Sequence, residues 1–235
     1  MRIDTTYRAH AQEIMDDFSL EGEELRDALD KIASINQWLG GNRLTLKGIK
    51  KLLRFCHDTI TILDIGCGNG DMLRMLSRFG KRHGYNLVLV GVDANCFTIK
   101  YAMDLSQEYD NISYKCLDIF SEKFALLEYD IALCTLTLHH FNDSEIIKLI
   151  HEVHNKASIG IVINDLHRNK VAYRLFEMIC VLFSLNRMSR EDGLVSILKG
   201  FKKRDFSTFS KKLGLRNYSI RWQWAFRYQW IIYKI

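Results

Sequence analysis

A glycine-rich turn in the first third of the chain constrains its fold more than any other segment. Residues 63–71 read LDIGCGNGD, with glycine at every second position from Gly66 to Gly70. The apolar run Thr61–Ile65 before the turn is typical of a buried strand, and the apolar spacing over Met72–Leu76 is typical of a helix. Glycine lets a ligand approach the backbone closely, and the first amides of a helix lack partners within it. We therefore expect a nucleotide-type site at the carboxyl end of a parallel strand.

The spacing of the glycines limits which kind of nucleotide the turn can bind. A dinucleotide-binding turn of the form G-x-G-x-x-G would require glycine at position 71, where this chain has Asp71. A second acid, Asp64, stands two residues before the first glycine. Because a carboxylate attracts a cation and repels a pyrophosphate, the turn favours a ligand that carries an ammonium or sulfonium group.

Acids also end the next two predicted strands. Leu87–Asp93 reads as a buried strand, and the two carboxylate oxygens of Asp93 can accept both hydroxyls of a ribose. Ile112–Asp118 reads as a shorter strand, and Asp118 is placed to accept from an exocyclic amine such as that of adenine. Each acid alone is explained equally well as a surface or helix-capping carboxylate. Three acids at three strand ends favour a ligand site.

With these acids and this turn, the chain resembles the class I S-adenosylmethionine-dependent methyltransferases. The resemblance rests on the ordered segments LDIGCGNGD, VGVDAN, CLDIF and DIALCTLTLHHF, within residues 59–163. It implies S-adenosylmethionine as cofactor and S-adenosylhomocysteine as product. The cofactor-binding positions that it implies are Asp64, Gly66, Cys67, Gly68, Asn69, Gly70, Asp93, Ala94, Asp118, Ile119 and Thr135. Arg43 is a further candidate, as a partner of the methionine carboxylate, although an exposed loop arginine is the simpler interpretation.

The order of strand and helix patterns predicts the fold class. Buried strands alternate with helices, which is typical of an α/β, Rossmann-like, doubly wound sheet. The resemblance implies seven strands, closed by a terminal hairpin. The predicted strands are Thr61–Ile65, Leu87–Asp93, Ile112–Asp118, Tyr129–Thr135, Ile159–Asp165, Tyr218–Ala225 and Tyr228–Tyr233.

Two helical regions flank this alternation. Residues 1–58 are predicted to form an N-terminal helical cap, with one helix over Glu23–Trp38 and another capped by Thr45. The methyltransferase domain would then span 59–235, as one compact unit with the cap. A helical insertion at 168–200 follows strand five and is interpreted as a lid or acceptor wall; a helix that completes the core or a dimer contact is the alternative.

Composition excludes several classes of protein. The 235 residues include 48% hydrophobic and 26% charged residues, without an apolar run long enough for a signal peptide or a membrane span. Six scattered cysteines without a C-x-x-C pair predict neither a zinc site nor a disulfide framework, and hence a cytoplasmic location. The chain lacks proline, which excludes the proline-containing motifs of enzymes that methylate DNA bases. The net charge of +5 and the short basic segment 199–204 indicate a solvated surface, so a nucleic-acid partner is disfavoured.

Candidates for acid–base chemistry follow strands four and five. His139 and His140 lie directly after strand four, where an imidazole can take a proton from a phenol or alcohol; shaping of the turn is the structural alternative. His151 and His154 share a helix face without a third ligand, so no metal is predicted. The candidates for acceptor binding are Asp165, His167, Phe176, Ile179, Phe183 and Arg190.

The predicted function is methyl transfer to a small hydrophobic or aromatic biosynthetic intermediate, free or carrier-bound. The pattern resembles bacterial quinone-biosynthesis and polyketide-tailoring methyltransferases, for which O-methylation of a phenol or enol is our first choice. C- and N-methylation stay open. The alternatives are an RNA or protein methyltransferase, supported by the basic segment alone, and a non-catalytic cofactor-binding subunit. A homodimer is an open possibility.

Overall fold

The computed structural model describes residues 3–55 and 58–234, and its centre is one seven-stranded sheet with helices on both faces. The strand order is β3-β2-β1-β4-β5-β7-β6. Strands β1 to β5 pair in parallel, whereas β7 runs antiparallel to both β5 and β6. The strands are β1 Ile60–Ile65, β2 Leu87–Asp93, β3 Ile112–Cys116, β4 Ile131–Thr135, β5 Gly160–Leu166, β6 Tyr218–Gln223 and β7 Arg227–Tyr233. The predicted Rossmann-like sheet and its terminal hairpin are confirmed.

Helices occupy both faces of this sheet, as the alternating pattern predicted. They are α1 Glu23–Trp38, α2 Gly41–Leu52, α3 Asp71–His83, α4 Cys96–Leu105, α5 Asp143–Lys156, α6 Lys170–Leu182, α7 Arg187–Lys199 and α8 Lys203–Lys212. Short 3-10 turns occur at Ile14–Asp16 and Leu138–His140. The insertion after strand five consists of α6 and α7.

Alternate residues of each central strand enter two different hydrophobic cores. In β1, Ile62 packs with α2 and α3 on one face, and Leu63 packs with α5 and α8 on the other. Both side chains are at most 1% exposed, which contributes about 1.5–3 kcal/mol for each such residue. This two-sided burial holds the strands in register and brings the carboxyl ends of β1, β2, β4 and β5 to one edge.

The start of the second helix differs from the prediction. Helix α2 begins at Gly41, after Gly40 in a left-handed conformation with φ of 78°. Thr45 therefore lies inside the helix instead of capping it, and it is fully buried. Its hydroxyl accepts a hydrogen bond from Asn164 Nδ2 at 3.0 Å and lies 3.2 Å from Thr135 Oγ1, so it fastens α2 to the ends of β4 and β5.

The expectation that no disulfide forms is wrong for one pair of cysteines. Cys96 and Cys116 are bonded to each other. They are 20 residues apart in sequence, but Cys96 opens α4 directly after β2 and Cys116 ends the neighbouring strand β3, so their Cα atoms lie 5.1 Å apart. Spacing along the chain gave no sign of this contact. Cys56 lies outside the described residues.

Among the described residues, no helix combines the length and apolar character needed to cross a membrane.

The domain boundary predicted at residue 58 lies next to residues 56 and 57, which the structure does not describe. Helix α2 packs directly on the sheet, because a Cβ on its Gly48 would come within 2.6 Å of Val162 in β5. Helix α2 therefore shares a core with the sheet, whereas the buried residues of α1 form a separate cluster with Met188 of α7.

Candidate functional site

A cavity of about 1130 Å³ lies over the carboxyl ends of the parallel strands. Its floor is formed by the segments that follow β1, β2, β4 and β5, and its walls by the N-terminal segment 7–20, α1, α6 and the turn between β6 and β7. Its volume is slightly above the roughly 300–1,000 Å³ typical of small-molecule sites. The cavity therefore has room for two ligands side by side.

The glycine turn forms one side of this cavity. Gly66, Gly68 and Gly70 all have positive φ angles, of 69°, 51° and 77°, which other residues rarely adopt. If Gly68 carried a Cβ, the nearest atom to it would be Leu29 Cδ2, at 3.8 Å. A side chain here would project into open space on the cavity side, so glycine keeps the approach to the backbone clear.

Three carboxylates surround this turn, and none of them forms a salt bridge among the described residues, although the charge of Arg74 lowers the pKa of one of them, Asp71. Asp64 is 2% exposed, and its Oδ1 atom has no hydrogen-bond partner among the described residues. Burial, together with the charges of Asp71 and Asp93, raises the pKa of Asp64 to about 8. Burial also raises the pKa values of Asp71 and Asp93, although their hydrogen bonds oppose it. The arrangement is electrostatically suited to a cationic ligand.

The acid at the end of β2 organises the adjoining loop. Asp93 Oδ2 accepts from the Gly68 amide at 3.2 Å, and Oδ1 accepts from the Asn95 amide at 3.0 Å. Asp118, after β3, is exposed at the cavity rim and accepts from the Phe120 amide at 2.9 Å. These bonds fix both carboxylates in place and leave lone pairs for a ligand's hydroxyl or amine groups.

His139 is held in the cavity wall by a buried acid. Its Nδ1 atom lies 2.8 Å from Oδ1 of Asp165, and its amide donates to Oδ2 at 3.3 Å. Asp165 is fully buried; burial raises its pKa, but the charge and hydrogen bond of His139 outweigh that effect and lower the pKa overall. The ionised carboxylate therefore directs the Nε2 atom of His139 away from Asp165, towards the cavity side.

The second histidine belongs to a charged cluster with the N-terminal segment. His140 Nδ1 lies 2.7 Å from Asp16 Oδ1, and Lys199 Nζ lies 3.0 Å from Glu13 Oε1 and 3.3 Å from Asp16 Oδ2. Burial lowers the pKa of His140, but the hydrogen bond to Asp16 and the charges of Glu13 and Asp16 raise it overall. The cluster fastens the N-terminal segment across both histidines.

Within this cluster, Glu13, His139 and His140 each present one potential metal-ligand atom, all within 4.8 Å of one another. His139 Nε2 and His140 Nδ1 both lie 3.8 Å from Glu13 Oε1. The buried ammonium of Lys199 already pairs with the Glu13 carboxylate, at 3.0 Å from its Oε1 atom. The sequence did not reveal the grouping, because Glu13 is more than 120 residues from the histidines.

Only some of the residues that were predicted to bind the acceptor line the cavity. His167, Phe176 and Ile179 line the cavity, whereas Asp165 lies behind His139. Phe183 packs against Trp38 instead, with ring centroids 5.5 Å apart, and Arg190 is exposed. Neither of the last two lines the cavity, because α6 ends before Phe183 and Arg190 is on the outer side of α7. Their prediction as acceptor-binding residues requires this correction.

The proposed partner for a methionine carboxylate also requires correction. Arg43 is exposed on the outer side of α2 and does not line the cavity. The guanidinium that does lie in the cavity wall next to α2 belongs to Arg227, at the start of β7. A Cβ on Gly41 would lie 3.1 Å from Arg227 Cζ. Sequence reasoning missed Arg227 because the pattern around it showed only a terminal strand.

The other predicted cofactor positions are close to one another in space. Gly70 forms the end of the turn behind the cavity surface. The positions that line the cavity directly are Asp64, Gly66, Cys67, Gly68, Asn69, Asp93, Ala94, Asp118, Ile119 and Thr135.

Other polar residues of the site were not predicted. Asn36 Nδ2 donates to Asn42, and Asn42 Nδ2 donates to Asp71 Oδ2 at 2.6 Å, which links α1 and α2 to the glycine turn. Arg8 Nη2 donates to the carbonyls of His139 and Phe141 at 3.1 and 2.8 Å. These contacts join distant parts of the chain, and no local spacing indicates them.

The basic segment 199–204 is only partly a free cationic surface. Lys199 is 5% exposed and paired with two acids, and Arg204 donates to the Thr6 carbonyl at 2.8 Å, whereas the side chains of Lys203 and Arg204 are exposed. The buried part of the segment packs the N-terminal residues against the core. That part gives no support to the alternative of an RNA or protein methyltransferase.

Solved structures with the same fold include several methyltransferases. An O-methyltransferase family protein from Burkholderia thailandensis is 15% identical, with a TM-score of 0.67, over 94% of this chain and 63% of that one. The plantazolicin methyltransferase BpumL in complex with SAH is 18% identical, with a TM-score of 0.56, over 88% and 85%. Magnesium protoporphyrin IX methyltransferase from Synechocystis PCC 6803, with bound SAM, is 14% identical, with a TM-score of 0.55, over 92% and 87%. At these identities the likeness shows the fold.

A sequence relative and a family model extend this likeness. A stretch of 73 residues is 34% identical to a protein of Invertebrate iridescent virus 6 whose name describes it as a candidate methyltransferase. The match covers 31% of this chain and only about a quarter, 24%, of the viral protein. A family model described as "Methyltransferase domain" matches residues 56–225, from just before β1 to the turn before β7. The chain therefore belongs to this methyltransferase domain family.

Proposed function

We propose that the protein transfers the methyl group of S-adenosylmethionine to a small hydrophobic or aromatic biosynthetic intermediate, and that the acceptor atom is the oxygen of a phenol or enol. The observation that carries the cofactor assignment is the group of Asp64, Asp71 and Asp93, all three with raised pKa values, around an open glycine turn. S-adenosylmethionine supplies an activated methyl group on a positively charged sulfur. The solved relatives described with bound SAM or SAH support the same choice.

The residues present fit this cofactor. The unpartnered Oδ1 atom of Asp64 is a buried acceptor that a ligand ammonium would satisfy. Asp93 would accept the ribose hydroxyls, and Asp118 with Ile119 would border the adenine. Gly68 leaves the space that the ligand needs next to the backbone. An isolated buried carboxylate is unfavourable, so a cationic ligand gains affinity from pairing with it.

The acceptor would occupy the remainder of the cavity, next to the ends of β4 and β5. Apolar side chains of the insertion, among them Phe176 and Ile179 of α6, line this part. The N-terminal segment, which Arg8 ties to the loop after β4, forms a further wall of the cavity. Apolar walls suit a hydrophobic ring or chain better than a polymer.

His139 is the proposed general base. In-line displacement requires chiefly alignment of the acceptor oxygen with the methyl group, which can contribute about 7–11 kcal/mol. A neutral phenol or enol must also lose its proton, and a base within hydrogen-bond reach contributes about 10²–10⁴-fold. Asp165 Oδ1 contacts the Nδ1 atom of His139, and the Nε2 atom, 3.8 Å from Glu13 Oε1, is the nitrogen that would accept the proton.

The direct test is incubation of the protein with methyl-labelled S-adenosylmethionine and an extract of the source cells, followed by mass spectrometry of the labelled product. We expect label on the oxygen of a small apolar compound. Label on RNA or protein would contradict the acceptor assignment. An absence of S-adenosylhomocysteine binding in a calorimeter would contradict the cofactor assignment.

A further inference from the structure

Arg227 carries a buried charge without a bonded counter-ion. The residue is 3% exposed and lines the cavity, and its Nε and Nη1 atoms have no hydrogen-bond partner among the described residues. Burial lowers its pKa to about 10, which the charge of Asp165 only partly opposes. An unpaired buried charge is strongly unfavourable, so a ligand that neutralises it would gain correspondingly.

The acids and amides near Arg227 do not neutralise its charge. Asp165 Oδ1 is already bonded to His139 Nδ1 and to the Leu166 amide, and Oδ2 accepts from the His139 amide. Asn36 offers an amide oxygen near Gly41, but a neutral acceptor leaves the positive charge of Arg227 in place. The guanidinium is therefore available to an anion inside the cavity.

The position of Arg227 separates it from the proposed cofactor pocket. The glycine turn follows β1, and the order β1-β4-β5-β7 places the backbone of Arg227 three strands away, about 14 Å at ~4.8 Å per strand, while its guanidinium lies beside Gly41 at the start of α2. Its register partner in β5 is Leu166, next to Asp165, which holds the proposed base. Arg227 thus lies on the acceptor side of the cavity.

A strained turn places Arg227 there. The two residues before it, Ala225 and Phe226, have positive φ angles of 60° and 53°, which costs of order 1–3 kcal/mol each for residues other than glycine. The Phe226 carbonyl accepts from the His167 amide at 2.8 Å, which fixes the turn to the end of β5. Strain of this kind is concentrated at functional sites.

We propose that Arg227 binds an oxyanion of the acceptor, so that the substrate class is an amphiphile with an apolar body and a carboxylate or ionised hydroxyl group. The proposal rests on the proposed function for its division of the cavity into cofactor and acceptor parts. A guanidinium binds a carboxylate through two parallel hydrogen bonds, which would orient the acceptor as well as neutralise the charge.

The test uses protein loaded with S-adenosylhomocysteine and two matched probes, 4-hexylbenzoate and its neutral amide, 4-hexylbenzamide. Calorimetry should show the wild type binding the carboxylate at least about tenfold more tightly, and Arg227→Met losing this preference. Arg227→Lys should keep part of it. Arg221→Met, which removes an exposed arginine of the same hairpin, should leave it unchanged. Equal or absent binding of the two probes by the wild type would overturn the proposal.

Two controls distinguish binding of the acceptor from a structural role and from binding of the cofactor. The substitution Arg227→Met removes an unpaired buried charge, so the melting temperature of the ligand-free protein should stay unchanged or rise. A lower melting temperature for Arg227→Met would show a structural role and overturn the proposal. Weaker binding of S-adenosylhomocysteine, with unchanged binding of 5′-methylthioadenosine, would assign the anion to the cofactor's carboxylate and also overturn it. If the wild type fails to bind S-adenosylhomocysteine, the proposed function fails, independently of Arg227.

Discussion

The Nδ1 atom of His139 lies 2.8 Å from Oδ1 of Asp165, and both side chains are almost fully buried at the ends of adjacent strands. This pair fixes the tautomer and the orientation of the imidazole, so that Nε2 is the nitrogen available for proton transfer. The same pair would exist in a purely structural arrangement. Kinetic consequences distinguish the two roles.

If His139 is the base, His139→Ala should lower kcat by about 10²–10⁴-fold while the affinity for S-adenosylhomocysteine changes little. Asp165→Asn should also lower kcat, because the amide no longer fixes the tautomer. His151→Ala, on the exposed face of α5, is the matched control and should be unaffected. Methyl transfer to the identified acceptor measures the effect. A loss below about tenfold in His139→Ala would contradict the assignment.

Substitution of Gly68 tests the cofactor pocket by filling the space next to the turn. Gly68→Val places a side chain on the cavity side of the turn, and we expect binding of S-adenosylhomocysteine to weaken at least 100-fold or be lost. Gly84→Val is the control, because Gly84 is also left-handed, with φ of 73°, and ends the same helix in open surroundings. The two variants carry similar backbone strain. Equal calorimetric affinity of both variants would sink the pocket assignment.

The disulfide between Cys96 and Cys116 ties the start of α4 to the end of β3. Because the cysteines are separated by 20 positions in the sequence, loss of the bond should destabilise the protein by about 3 kcal/mol. Urea unfolding of Cys116→Ser measures this change in the free energy of unfolding. Reductant should bring the wild type to the same value and leave the variant unchanged. A wild type that is insensitive to reductant would show that the bond does not stabilise the fold.

Asp64 makes the stability of the ligand-free protein depend on pH. Its pKa is raised from 3.8 to about 8 on folding, so between about pH 4 and pH 8 the folded state holds a proton that the unfolded state has lost. The contribution of Asp64 to stability is therefore present below about pH 4 and is lost as the pH rises through about 8. Urea unfolding across this range should show that the free energy of unfolding declines less steeply with pH in Asp64→Asn than in the wild type. Identical pH profiles would contradict the raised pKa.

The sheet could be predicted because the sequence patterns that indicate it lie within short stretches of the chain. Buried strands, acids at their ends and the glycines between β1 and α3 are visible within short windows, and parallel strands bring those ends to one edge. Polar groups from distant segments were not predictable. Glu13 and Arg227 reach the cavity from opposite ends of the chain, and Arg43 was predicted although it lies outside the cavity, because spacing does not reveal which face of α2 is exposed. The disulfide was missed for the same reason.

The central claim is that the acids around the glycine turn form the site of a cationic cofactor. A cationic ligand favours the ionised form of Asp64, so binding of S-adenosylmethionine should release up to one proton at pH 7, and its affinity should rise up to about tenfold per pH unit towards pH 8. Calorimetric titration in two buffers of different ionisation enthalpy counts the protons released. We expect saturable binding with net proton release that Asp64→Asn abolishes. Absence of binding, or binding without proton release at any pH between 6 and 8, would contradict the account.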